Sequence, residues 1–202
     1  LDFFLYFLYL FIIQIIQGEI MSRRKLFFIL FPLFIGVGIY FLYRSRNLFY
    51  FKIFTTHPLI YSYVIKIRDI AWLYRKHFPL WSVYSLPDGL WLFSFGAILL
   101  IERFFYSFHF IVFTVIYIFM VTLEFLQKYF GGHGSLLGTF DKLDILFFTL
   151  GYTFIVLISY YLHKKDKKII KDISFISKRK EFSEDIKFII IFTILGILPS
   201  LF

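Results

Sequence analysis

Residues 108–125 read FHFIVFTVIYIFMVTLEF, with one formal charge, Glu124, close to the end. As a helix this run is about 27 Å long, close to the roughly 30 Å of a bilayer's hydrocarbon core. It is apolar on every side, so it has no water-facing stripe. Four more apolar runs accompany it. In chain order the five are segment A (26–43), B (89–101), C (the run above), D (143–162) and E (188–202). Segment E is short for a span, which needs roughly 17–25 residues, and is expected to sit partly in the interface or to thin the bilayer locally.

Composition agrees. Of 202 residues, 60% are hydrophobic, 25% aromatic and only 17% charged, and the mean hydropathy is +0.79. A soluble domain of this size cannot hide so much apolar surface from water. The expected fold is therefore all-α: a polytopic transmembrane bundle of about five spans, with membrane lipid as its first partner. There is no Cys, which excludes disulfides, Cys-ligated zinc and thiol nucleophiles. The net charge of +9 comes from cations that flank apolar runs. That placement suits lipid headgroups and topology signals rather than nucleic acid.

Met21 and the cations Arg23, Arg24 and Lys25 precede segment A as cytoplasmic cations precede a first span. Residues 1–20 carry Asp2 and no leading cation, and are expected to be either a mis-assigned leader or an extra apolar helix. Residues 21–162 form a four-helix membrane domain that includes an interfacial stretch, 44–86. There Ile60, Tyr63, Val64, Ile67, Ala71 and Tyr74 recur at helical spacing, opposite Ser62, Lys66, Asp69 and Lys76. This predicts an amphipathic helix between the first and second spans, lying in the membrane surface or packed on the bundle. Residues 163–187 form a basic, membrane-proximal loop with nine of the 22 Lys and Arg, and 188–202 form the short C-terminal apolar helix. Counted over five spans, 13 cations share a side with the start of A and nine lie opposite. The excess favours a cytoplasmic N-terminus, provided 44–86 contains no further crossing.

Acidic residues mark the helix ends. Asp88 opens B, Glu124 and Gln127 close C on one helical face, and Asp141 and Asp144 open D. The turn between B and C is short, so they form an antiparallel hairpin, and D starts where C stops. All five side chains are then expected at one membrane face. Asp88, Asp141 and Asp144 suit helix N-termini as caps. Glu124 is different, because a negative charge at a helix C-terminus is unfavourable, and a carboxylate near hydrocarbon is by default paired or functional. Trp91, one turn after Asp88, joins the set as a ligand-binding candidate, with Trp81 and Tyr84 as interfacial rings beside it. The Gly-rich loop carrying His133 is able to fold over the cluster, but its spacing matches no known metal pattern, and the sequence points to no cofactor or metal. His109 is readable as a proton carrier or as a hydrogen-bonded histidine. No HExxH, GxSxG or P-loop motif occurs.

The order of these markers resembles the VanZ-like family of small bacterial integral membrane proteins: an acid opening one helix (Asp88), Glu-x-x-Gln closing the next (Glu124, Gln127), then Asp with Gly seven residues later (Asp144, Gly151). The resemblance covers roughly residues 84–162. Three positions depart from it: Gly89 follows Asp88 where the family often has Lys, Phe148 stands where Asn is frequent, and no Arg precedes Asp141 or Asp144. The resemblance implies a helical protein of the cell envelope, and the founding member is associated with resistance to the glycopeptide teicoplanin. The leading expectation is a non-enzymatic envelope protein that binds an amphiphilic component or a glycopeptide at the acidic helix ends. Two alternatives stand beside it: an enzyme acting on an envelope lipid with a carboxylate as general base, and a structural membrane subunit that docks a partner.

Overall fold

A computed structural model describes residues 22–43, 58–103, 105–132 and 139–171, with side chains placed up to residue 165 and that of Ile60 excepted. Helices α1 (Arg23–Tyr43), α2 (Pro58–Leu73), α3 (Leu80–Tyr84), α4 (Leu86–Leu100), α5 (Tyr106–Phe130) and α6 (Lys142–Lys171) follow one another, with a 3-10 turn at Arg75–His77. No strand occurs among the described residues. Helices α1, α5 and the Lys142–Lys165 part of α6 are long and apolar enough to cross a membrane. They contain segments A, C and D. Segment B lies in α4, whose fifteen residues reach only about 22 Å. Segment E, residues 1–20 and positions 172–187 of the basic loop lie outside the described residues.

The boundaries follow local chemistry. Ser22 caps α1, its Oγ accepting the Lys25 N–H at 3.1 Å. Three cations then crowd a helix N-terminus, where positive charge is unfavourable. Glu102, from the turn after α4, supplies the missing negative charge: its carboxylate accepts from the Ser22 hydroxyl and pairs with Arg24 at 3.1 Å. Helix α6 runs on past segment D through His163 and the following lysines to Lys171. Lysine is a good helix former, and cations suit a helix C-terminus.

Helix α4 is the centre of the bundle. It lies between α1 and α6 with α5 on a further side, and Leu92, Phe95 and the whole run from Ala97 to Ile101 are buried. The α4–α6 crossing is backbone against backbone. A Cβ at Gly89 would lie 2.6 Å from the Phe147 carbonyl oxygen, and one at Gly151 would run into the Gly89 carbonyl oxygen. Small residues at this crossing let two helices touch without help from the hydrophobic effect, as apolar surroundings require. Gly89 and Gly151 thus have a packing role. Gly36 of α1 faces Pro87 and Leu90, so α1 and α4 are antiparallel, while α4 and α6 run parallel.

Helix α5 stands further off and is held by larger side chains. Rings stack, or meet edge-on at Phe95–Phe113, in a continuous series from Trp91 through Phe95, Phe113 and Tyr152 to Tyr117. Three hydroxyl pairs tie α5 to α6: Tyr106–Ser159 at 3.1 Å, Thr114–Tyr152 at 2.9 Å and Tyr117–Thr149 at 2.9 Å. In each pair the Ser or Thr donates its own hydrogen to a backbone carbonyl one turn back (Val156, Phe110 and Ile145). The tyrosine must therefore be the donor across the interface. Each pair ends on a carbonyl, so the three act as separate interhelical ties rather than as one continuous relay; ties of this kind contribute about 0.6 kcal/mol each.

The stretch between α1 and α4 begins and ends at one end of the bundle. The Tyr43 ring meets Phe78 at 5.1 Å, Arg68 reaches the Phe41 carbonyl at 2.8 Å, and Pro87 returns to Gly36. Tyr43 and Pro87 therefore lie towards the same end of the bundle. The helical periodicity is present in α2, and the helix packs by only part of it. Of that set Val64 is buried and Ala71 half-buried, whereas Tyr63, Ile67 and Tyr74 are exposed. The packed face is centred on Val64 and Arg68, because the guanidinium finds a carbonyl at the C-terminus of α1.

Candidate functional site

Helix direction decides what meets at each end. The N-termini of α4 and α6 share an end with the C-terminus of α5, so Asp88, Asp141 and Asp144 gather around Glu124. Asp141 caps α6, its Oδ1 accepting the Leu143 N–H at 2.9 Å, and Asp88 and Asp144 lie in the first turns of α4 and α6. Capping thus explains the position of Asp141 directly, and the helix dipoles favour the other two.

Glu124 lies on the inward stripe of α5 that also carries His109 and Phe113, and is only 7% exposed. Its carboxylate accepts a hydrogen bond from the Asp141 backbone N–H, and Asp144, Asp88 and Asp141 act on it electrostatically. A charge disfavoured by its own helix is thus received by the N-terminus of a neighbouring one, where unpaired N–H groups bind anions. The compensation is incomplete. Glu124 Oε2 is buried and has no hydrogen-bond partner among the described residues.

The remaining candidates divide. Gln127 is half-buried one turn beyond Glu124. Trp91 is drawn towards the core, its ring stacked on Phe95 at 5.6 Å. Trp81 remains at the surface and stacks on Phe147 at 5.4 Å, one turn from Asp144. Tyr84 is exposed, with the Arg75 guanidinium 6.0 Å from its ring centre. Lys128 is the nearby cation from α5, with its ammonium 5.8 Å from the Phe140 ring centre. His133 lies outside the described residues. Among the described residues, no three His, Asp or Glu side chains converge on a point where a metal ion would sit. His109 is buried at the opposite end, its Nδ1 at 2.9 Å from the Phe105 carbonyl.

Two features escaped the sequence reading. Arg68 is 1% exposed, yet its signal was present: it falls four residues after Val64, a cation within an apolar helical face. The Tyr–Thr and Tyr–Ser ties had no such signal, since their partners lie 32 to 53 residues apart.

Chemically, the arrangement is a partly buried anionic patch with aromatic rings at its rim and a carboxylate oxygen that has no partner among the described residues. It is suited to a cation or a hydrogen-bond donor. No family model, curated protein or solved structure matches the chain.

Proposed function

We propose that this chain is a multi-pass protein of the bacterial cytoplasmic membrane, similar to the VanZ-like proteins. In this reading the acidic helix ends bind the cationic or hydrogen-bonding headgroup of an amphiphilic envelope component or glycopeptide. The observation that carries the reading is the buried Glu124 carboxylate, which faces three aspartates and leaves Oε2 without a hydrogen-bond partner among the described residues. A bound ammonium or N–H donor would satisfy that oxygen and relieve the repulsion at once. Trp81 and Tyr84 would lie along the apolar part of the ligand. Since α1 and α4 are antiparallel, the end with Arg23, Arg24, Lys25, Arg103, Lys164 and Lys165 takes the cytoplasmic side. The acids then face outward, where envelope components and glycopeptides are met.

The experiment is teicoplanin susceptibility of a Gram-positive host expressing the full chain or the Asp88→Asn, Glu124→Gln, Asp144→Asn triple variant, with membrane levels of both measured. Reduced susceptibility that the triple variant loses at equal protein level supports the reading. No effect from well-expressed wild-type protein counts against the glycopeptide, and an effect that the triple variant retains removes the acidic cluster as its site.

A further inference from the structure

Helix α2 has three faces, of which only one is accounted for by the described residues of the bundle. Val64 and Arg68 are buried, and Arg68 Nη1 donates to the Phe41 carbonyl at the C-terminus of α1. Ser62, Lys66 and Asp69 are exposed on a polar face, continued by Lys76. Between these lies a second apolar stripe of Leu59, Tyr63, Ile67 and Ile70, carried on by Tyr74. Spacings of four, four, three and four place these residues on one side of the helix. Each is between 54% and 79% exposed.

Location identifies what covers this stripe. Helix α1 has 21 residues, or about 31 Å, which matches the hydrocarbon thickness. Arg68 binds a carbonyl in the last turn of α1, so α2 is tethered at the level where that helix leaves the hydrocarbon. Phe31, Phe34 and Val37 of α1 are exposed as well, so α1 also presents apolar surface outward. The exposed cations Lys66 and Lys76 sit beside it, as on helices that lie at an anionic lipid surface.

We propose that α2 lies in the bilayer surface, with the Leu59–Tyr63–Ile67–Ile70–Tyr74 stripe in the acyl region and Ser62, Lys66, Asp69 and Lys76 among headgroups and water. Arg68 is the positioning residue, holding α2 to the end of α1 while the stripe takes up lipid. The inference rests on α1 being a membrane span and is independent of what the acidic cluster binds.

The chain has no Cys, so single-cysteine labelling has no background. The full chain would be reconstituted in phosphatidylethanolamine–phosphatidylglycerol vesicles with a nitroxide at Tyr63→Cys, Ile67→Cys or Ile70→Cys, at Ser62→Cys, Lys66→Cys or Asp69→Cys, and at Phe34→Cys on α1. Collision rates with oxygen and with a water-soluble nickel chelate would be compared. The expected result is a several-fold oxygen preference at 63, 67 and 70 and a several-fold nickel preference at 62, 66 and 69. In Arg68→Met protein the contrast between the two sets should shrink while the label at 34 keeps its oxygen preference. Equal nickel access at both sets overturns the proposal, and so does shielding of 63, 67 and 70 from both reagents, the mark of a covering protein. Loss of oxygen preference at 34 would instead remove the spanning reading of α1.

Discussion

Two glutamates near the ends of α5 have opposite surroundings. Glu102, just before the helix, accepts from the Ser22 hydroxyl and pairs with Arg24 at 3.1 Å. It adopts a left-handed backbone (φ 59°) in the tight turn that presents it to α1, a conformation uncommon for a residue with a Cβ. Glu124, six residues before the end of α5, receives one backbone N–H and faces three aspartates. At one end of the bundle a half-buried carboxylate is balanced by the fold itself; at the other a buried carboxylate has no such cation among the described residues. Glu102 thus serves the structure, whereas Glu124 is the group that the proposed function assigns to a ligand.

The largest expected effect falls on both ends alike. Gly151→Leu drives a side chain into the Gly89 backbone, an overpacking that costs about 3 kcal/mol or more. Folded, monodisperse protein should be lost on size-exclusion chromatography. Gly38→Ala meets nothing within 4 Å and should leave the profile unchanged. Next comes Arg68→Met, which takes the guanidinium donor from the Phe41 carbonyl and should lower stability by about 1–3 kcal/mol in thermal unfolding.

The two glutamates should then separate in sign. Glu102→Gln weakens a pair whose side chains are 37% and 26% exposed, so the solvent-screened loss is about 0.5–1 kcal/mol. Glu124→Gln keeps an acceptor for the Asp141 N–H and removes repulsion with three aspartates, so stability should hold or rise. The smallest effect belongs to the ties between α5 and α6. Tyr117→Phe should cost about 0.6 kcal/mol, because Thr149 keeps its own bond to the Ile145 carbonyl.

The gathering of the acids was legible in the sequence because it depends only on alternating helix direction. Asp88, Glu124, Asp141 and Asp144 had to meet once B, C and D ran antiparallel in turn. Segments A, C and D were legible for a similar reason, since a long uncharged run has few other solutions. The central position of α4 was not. Residues facing other helices and residues facing lipid are equally apolar, so hydropathy reads Leu92 and Phe95 as it reads Phe31 and Phe34. Nor did periodicity fix the rotation of α2, which is set by one guanidinium reaching one carbonyl. The Glu124 oxygen without a partner among the described residues needed three helices in place before it could be recognised.

The most direct test is thermal unfolding of purified wild-type, Glu124→Gln and Glu102→Gln proteins in one detergent at pH 7. The predicted result is a melting temperature for Glu124→Gln equal to or above wild type, beside a lower one for Glu102→Gln. A fall for Glu124→Gln as large as that for Glu102→Gln would make Glu124 a structural residue and contradict the account.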